Sequence, residues 1–541
     1  MRLRAGLVFG LVCALTLAVF LGCKPRETPV MAGIRTQTLH RGLAADPSEL
    51  DPHIITGLPE INVAVALFEG LVNDNPADPT TPLPGVAESW DAASDGLTYT
   101  FHLRANARWS NDAPLTAQDF VNSVQRMVTK SLGADYATML YLVANAEAYH
   151  KGTLTDFSQV GIKALDARTL RITLDHPAPY FLSMLTHPAW FPVYLPALEK
   201  SGSPYQRGSK WTRPENIVSN GPFTLKTWRP GEVLVAEKSP TYWDSAHVRL
   251  NAIHFHPAAD VDSEERAFRA GQLHLTESLP VGKVDTYRRT RPAELQITPF
   301  LDTYFYRLNT TRPGLNNPKI RQALSLAIDR AAIVEKITRG GQQPALSFTP
   351  PGAGTYRPPE AIRHDLAQAR ALLAEAGHPE GRDLPIIEIT INSSGNHRAI
   401  AEAIQEMWRR DLGVDVRINN MEQGSLLSKR RQLDYQVMRS DWAGDYLDAT
   451  TFLKVFTSDS NNNHTSWKNA DYDRLLYESD RTADAAAREL LLQRAESILL
   501  ADLPILPLYY FTAVRLVHPS VKGWRPTVLD RPAYKQIYLE P

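Results

Sequence analysis

Leu97-Thr98-Tyr99-Thr100-Phe101-His102-Leu103-Arg104 alternates apolar and polar side chains without a break. That is the period of a half-buried strand. Upstream, Pro82 to Pro84 mark a turn, and Gly85-Val86-Ala87-Glu88-Ser89-Trp90 leads into the strand. Downstream, Trp109-Ser110-Asn111-Asp112 makes the next turn. Thr116-Ala117-Gln118-Asp119-Phe120-Val121 then starts a helix with Thr116 as its N-cap.

The same exchange of strand and helix patterns runs along the chain. Asn62 to Val72 carries apolar residues at helical spacing that end near Gly70. Asp365 to Gly377 reads as a helix with an aspartate cap and a glycine stop, Ile386 to Ile391 as a strand, and His397 to Asp411 as an amphipathic helix. Such alternation predicts α/β layers around mixed sheets. No internal repeat is present, and composition does not mark the domain joints.

At 541 residues the chain exceeds one ordinary core, so two or three domains are expected. A hydrophobic fraction of 43% and a charged fraction of 22% are those of a soluble globular protein. A formal net charge of -1 argues against nucleic acid, which demands a concentrated basic surface. Arg2 and Arg4 precede an apolar run from Ala5 to Gly22, the pattern of a secretory signal. The run is near the minimum for a membrane span, so length does not separate anchor from signal. Phe20-Leu21-Gly22-Cys23 does, because it resembles a bacterial lipobox, although Phe20 stands where leucine is commoner. The resemblance implies cleavage after residue 22 and lipid on Cys23. Cys13 falls in the removed segment, so Cys23 is left as the sole cysteine and no internal disulfide can form. Residues 23–36, rich in proline and polar groups, are expected to be a tether.

Nothing points to catalysis. Gly-x-Ser-x-Gly, Ser-x-x-Lys, His-Glu-x-x-His and the phosphate-cradling Gly-x-x-x-x-Gly-Lys are all missing. His254-Phe255-His256 puts two imidazoles on one face of a strand. No third ligand is adjacent in sequence and exposed strand histidines are common, so no metal and no cofactor is assigned.

Met438-Arg439-Ser440-Asp441-Trp442-Ala443-Gly444-Asp445-Tyr446 concentrates a cation, two carboxylates, two aromatics and a glycine in nine residues. Leu433 to Arg439 partly alternates as a strand, which predicts a turn at 442–445. The ends of strands are where open α/β sheets place ligands. Read alone, the stretch is equally a loop with a solvated acid and a core tryptophan.

Pro84 to Trp90, Thr100 to Arg104, Trp109 to Asn111 and Thr116 to Val121 together resemble the large peptide-type solute-binding lipoproteins of ABC importers, the family 5 extracellular solute-binding proteins. Asn220-Gly221-Pro222-Phe223, Tyr242-Trp243, Ala270-Gly271-Gln272-Leu273, Asn309 and Arg321 to Arg330 extend the likeness over the mature chain, and several pieces favour the oligopeptide branch. The resemblance implies the two-lobed periplasmic-binding-protein fold, type II in its large cluster C form, with an inserted domain. Lobe I would take residues 37–68, 196–276 and 513–541, the insert 69–195, and lobe II 277–512.

It also implies site roles. Asp445 matches the acid that takes the peptide ammonium, while Trp442, Asp441 and Ala443 match the lining of the first side-chain pocket. Arg439, Arg430 and His397 match positions near the ligand carboxylate. Arg312 stands where the branch carries a lysine, which changes reach. Tyr136 and the Leu58 backbone would close from the other lobe, and Asn462 adds a polar contact. Arg430 beside Arg431 reads equally as a solvated face, His397 as a neighbour of a helix cap and Tyr136 as core. Three departures stand out. Ala443 replaces a cysteine that some relatives pair in a disulfide, and Phe511 replaces a ligand-facing tyrosine. Asp441 replaces a small residue, adding negative charge that should favour basic ligands.

The implied function is capture of short peptides between closing lobes, by a monomer tethered to a membrane through lipid in the periplasm. Delivery would be to a permease with its ATPase subunits. A murein peptide binder using the same anchor is the alternative, ahead of a peptide-holding chaperone or a periplasmic hydrolase. Lys24 after Cys23 leaves inner or outer membrane open.

Overall fold

The alternating run is a strand in a computed structural model, which describes residues 27–393 and 395–541. The signal segment, Cys23 and Lys24 lie outside the described residues. The expected tether is corrected at its far end. Pro29–Thr36 is a helix, capped by Thr28 and started by Pro29, and it buries Val30 and Gly33. Among the described residues no helix is long and apolar enough to cross a membrane.

In chain order, β1 (Thr38–Leu43) is followed by the helix Leu58–Leu67, which ends short of Gly70. The short pair β2 (Val72–Asn73) and β3 (Leu83–Pro84) precedes β4 (Ala87–Ala92), β5 (Thr98–Leu103), β6 (Ile162–Ala164) and β7 (Thr169–Thr173). The last four form one sheet in the order β4-β5-β7-β6, inside the span expected for the insert. Burial in β5 alternates residue by residue, with Tyr99, Phe101 and Leu103 facing the core. The helix Ala117–Met127 follows Thr116, whose N–H and hydroxyl both donate to Asp119.

Next, β8 (Phe223–Arg229), β9 (Val233–Lys238) and β10 (Ala252–Pro257) join β1 in the order β1-β10-β9-β8, with β1 and β10 parallel. The third sheet takes β11 (Leu295–Leu308), β12 (Gln343–Pro344), β13 (Ile387–Asn392), β14 (Val416–Met421), β15 (Val437–Ala443) and β16 (Ile505–Leu516). Its order is β12-β16-β11-β15-β13-β14. β11 is central and covered on both faces, so successive residues face different cores. Tyr304, Tyr306 and Leu308 pack with the helix Gly395–Leu412, and Phe305 packs with Phe348, Phe452 and Phe456. A final hairpin pairs β17 (Val521–Lys522) with β18 (Tyr538–Leu539).

The sheet that contains β1 and the third sheet are joined where two passages of chain run side by side. Leu275 bridges to both Arg41 of β1 and Val517. Thr276 N–H donates to the Leu516 carbonyl at 3.0 Å, and His518 N–H to the His274 carbonyl at 2.7 Å. Four buried charges fill this joint. Arg41 meets Glu277 at 2.6 Å, and Arg515 meets Asp530 at 2.6 Å and Glu277 at 3.5 Å. Burial would raise the Glu277 carboxyl, but the two guanidiniums hold it below its usual range.

Replacing Glu277 by Gln takes the carboxylate partner from Arg41 and leaves Arg515 with Asp530. Glu277→Gln should destabilise the protein by about 3–5 kcal/mol in denaturant unfolding at pH 7. Because its folded pKa is depressed, the Glu277 contribution is present above the ordinary carboxylate range and is lost as pH falls through the folded value. The wild-type and variant stabilities should therefore converge in acid.

Candidate functional site

β15 sets the site, and it differs from the expected strand and turn at both ends. Leu433 has a left-handed backbone, φ 55°, and the ladder starts only at Val437. It then continues through Ala443, because Trp442 and Ala443 pair with Thr303 and Asp302 of β11. The turn thus begins at Gly444, whose N–H donates to the Leu301 carbonyl at 2.7 Å. A Cβ at 444 would lie 2.6 Å from Leu301, so the chain leaves the sheet by a route that suits glycine.

Asp445 comes next. Its N–H donates to Thr451 Oγ1 at 3.0 Å, and its Oδ1 accepts from Tyr136 of the insert at 3.1 Å. The Tyr136 ring lies against His187, with centroids 4.5 Å apart. Arg531 donates to the Asp445 carbonyl at 2.6 Å and to Thr186 Oγ1 at 2.9 Å. Burial pushes the Asp445 carboxyl up to about 6, against the pull of Arg531 and the Tyr136 hydroxyl. Tyr446 stacks on Tyr180 at 5.1 Å, and Leu447 N–H donates to Ser183 Oγ at 3.1 Å. The loop after β15 is thus seated against the insert. Trp442 points to the opposite face of the strand from Asp441, its Nε1 donating to the Thr451 carbonyl at 2.7 Å.

A second group gathers on one face of the sheet. The opposed pairs Asp302 and Ala443, Tyr304 and Asp441, Tyr306 and Arg439 share that face. Arg439 Nη1 lies 3.0 Å from Asp441 Oδ1, and its guanidinium sits 5.0 Å from the Tyr304 ring centre. His397, near the start of the helix Gly395–Leu412, approaches the Tyr304 hydroxyl at 3.2 Å. Burial and the Arg439 charge lower it to about 3, so its imidazole is neutral. Arg430, in the last turn of the helix Gln423–Arg431, is close enough to sense Asp441 and Arg439, and its buried Nε has no partner among the described residues. Phe511 of β16 lies 6.0 Å from the Tyr304 ring.

The remaining expected residues make other contacts. Arg312 donates to the carbonyls of Leu433 and Tyr435 at 2.9 and 3.1 Å. Leu58 is exposed at the start of its helix. Asn462 accepts through its carbonyl from Arg307, which also donates to Ser440 Oγ at 3.0 Å. Among the described residues no hydrogen bond or ion pair ties Arg312, Leu58 or Asn462 to Asp445.

Two residues escaped sequence reasoning. Arg531 lies 86 positions from Asp445, and no local pattern links them. Asp302 is buried beside Ala443 with Oδ1 unpartnered, and burial with Asp441 nearby keeps its carboxyl well above the usual range. An acid in the middle of an apolar strand was the only signal.

Known proteins share this architecture. Residues 81–464 match the family model of the bacterial extracellular solute-binding proteins, family 5 middle region. The chain is 38% identical to the periplasmic oligopeptide-binding protein OppA of Escherichia coli K12, over 90% of each chain. The structure of the Escherichia coli murein tripeptide binding protein MppA superposes with a TM-score of 0.81 at 34% identity, covering 93% of this chain and 98% of that one. Haemophilus influenzae OppA in complex with RPPGFSPFR gives 0.80 at 33%, covering 93% and 99%.

The Asp445 carboxyl has a stability signature with a definite sign. An unfolded aspartate titrates near 3.8 and this one near 6, so the folded state is penalised once the group ionises. Asp445→Asn should raise stability at pH 7 by about 1–3 kcal/mol and leave it unchanged near pH 3, where both forms are neutral. Urea unfolding at the two pH values reads the difference.

Proposed function

The chain belongs to the bacterial extracellular solute-binding proteins of family 5, and from that premise we propose that it captures short peptides by their free ammonium and delivers them to an ABC permease. The observation that carries the reading is Asp445. It is a half-buried carboxylate at the end of a sheet strand, and its only side-chain partner is a hydroxyl from the facing insert. A peptide ammonium there would form a charge-assisted bond, roughly twice as strong as a neutral one. Main-chain pairing beside Trp442, Asp441 and Ala443 would hold the peptide while tolerating varied side chains.

The far end of the ligand is read by Arg430, His397 and Arg439, with Arg312 serving other lengths. Of these, Arg430 is the freest to take a carboxylate. Arg439 is already engaged by Asp441, so a ligand carboxylate must compete with that ion pair. Phe511 offers an apolar surface, and Tyr136, Leu58 and Asn462 complete the enclosure. Lobe closure is then a population shift toward the state that the ligand prefers. The protein binds without turnover, acts as a monomer in the periplasm, and is held to the membrane by lipid on Cys23.

A murein peptide is the second candidate ligand, favoured by the 34% identity to the murein tripeptide binder. A free amine would use the same anchor in either case. Mass spectrometry of ligand released from the purified protein separates the two.

The direct test compares a tripeptide with its N-acetylated form by calorimetry. Acetylation should cost about 3–5 kcal/mol if the amine is paired in the closed cleft; equal affinity removes Asp445 from its role. Selectivity is tested by Asp441→Gly. Loss of this acid should lower the affinity ratio of Lys-containing to neutral tripeptides, and an unchanged ratio sinks the proposed bias toward basic ligands.

A further inference from the structure

Lobe I carries a cluster of histidines that peptide capture does not use. β1 and β10 run parallel, and their register sets His40 directly beside His254 and Gly42 beside His256. Leu39, Ile253 and Phe255 face the apolar core, so the intervening histidines share the opposite face. His254 and His256 alone supply only two ligands; the neighbouring strand supplies the third.

We propose that His40, His254 and His256 form a binding site for a divalent late transition-metal ion, zinc in the first instance, in the outer face of lobe I. One ring nitrogen from each lies within 4.8 Å of the others. His40 Nδ1 and His256 Nε2 are already 3.1 Å apart. Three nitrogens on a tetrahedral zinc, with bonds of about 2.0–2.1 Å, are spaced about 3.3 Å from one another. Side-chain shifts of roughly 1 Å therefore close the set.

The chemistry of the cluster fits. All three side chains are partly exposed, which leaves an approach from solvent and room for water in the fourth position. An imidazole nitrogen is among the commonest zinc ligands, and each of the three rings has one within reach of the other two. The ion would take the place of the proton in the His40–His256 hydrogen bond; the donor ring would then carry its N–H on the other nitrogen, as the acceptor ring already does. Two nearby histidines are not ligands. His274 accepts from the His40 N–H through Nδ1 and donates to the Val30 carbonyl through Nε2, using both nitrogens. His518 is engaged by Ser520 through Nδ1. Glu237, opposite Ala252 on β9, lies on the same face of the sheet as the cluster.

The site would clip together strands that are over 200 residues apart in sequence, so bound metal should stabilise lobe I. The test uses untagged, chelator-stripped, full-length protein titrated with zinc by calorimetry and with cobalt(II) by visible absorption. One equivalent should bind, cobalt should develop a ligand-field band, and zinc should raise the melting temperature. His254→Gln, whose wild-type ring makes no hydrogen bond among the described residues, and His256→Ala should each weaken binding at least about tenfold. Both should abolish the thermal shift while keeping the wild-type circular dichroism spectrum. His247→Gln, at a histidine side chain 82% exposed, should bind as wild type. Sub-stoichiometric binding, or wild-type affinity in either cluster variant, overturns the site.

Discussion

The structure turns on four charged side chains that meet out of water. Arg41, Glu277, Arg515 and Asp530 come from the first strand, the exit of lobe I, the last long strand and the C-terminal segment. Two guanidiniums against two carboxylates leave no net charge in the joint, which is the condition for burying ions at all. An apolar joint would bury area without direction. This one works only when the donors and acceptors are in register, so it selects one alignment of the two chain passages between the sheets.

The same joint reaches the proposed peptide site through a single peptide bond. Asp530 belongs to the network, and the next residue, Arg531, grips the Asp445 carbonyl. On the other side, β11 and β16 leave the joint together and carry Tyr304, Tyr509 and Phe511 to the face where Arg439 and Asp441 sit. A rotation at the joint is therefore transmitted to both ends of the proposed peptide site. The carriers are the paired strands themselves, and the second half of β11, Leu301–Leu308, is buried on both faces.

Local signals in the sequence were legible. The alternation of residues 98–103 became strand, and Thr116 with Asp119 capped a helix, because both depend on neighbours a few positions away. Contacts set by topology were not legible. His40 stands by His254 only because β1 returns to the sheet edge beside β10, and Asp302 lies opposite Ala443 only through the β11 ladder. Even the end of β15 was decided across the ladder, where pairing with Asp302 and Thr303 outweighed the turn character of the residues themselves. The 29–36 segment looked like a tether for the opposite reason: its composition is that of a loop, yet proline at the first helical position and a threonine cap favour a helix.

What would make Asp445 an anchor rather than one more half-buried acid is the charge the protein withholds from it. Asp448, three residues on, receives two hydrogen bonds from Arg488 and is thereby a closed ion pair. Asp445 has Arg531 within reach, but that guanidinium is directed at its carbonyl and at Thr186, and no cation among the described residues pairs with its carboxylate. Tyr136 gives it a hydroxyl only, which satisfies one lone pair without cancelling the charge. The carboxylate is therefore left with an electrostatic deficit, expressed as its raised pKa. A ligand ammonium removes that deficit and a neutral ligand does not. On the proposed function, selectivity for a free amine would follow from an interaction the folded protein leaves unmade, and the Tyr136 contact would let the facing segment respond when it is made.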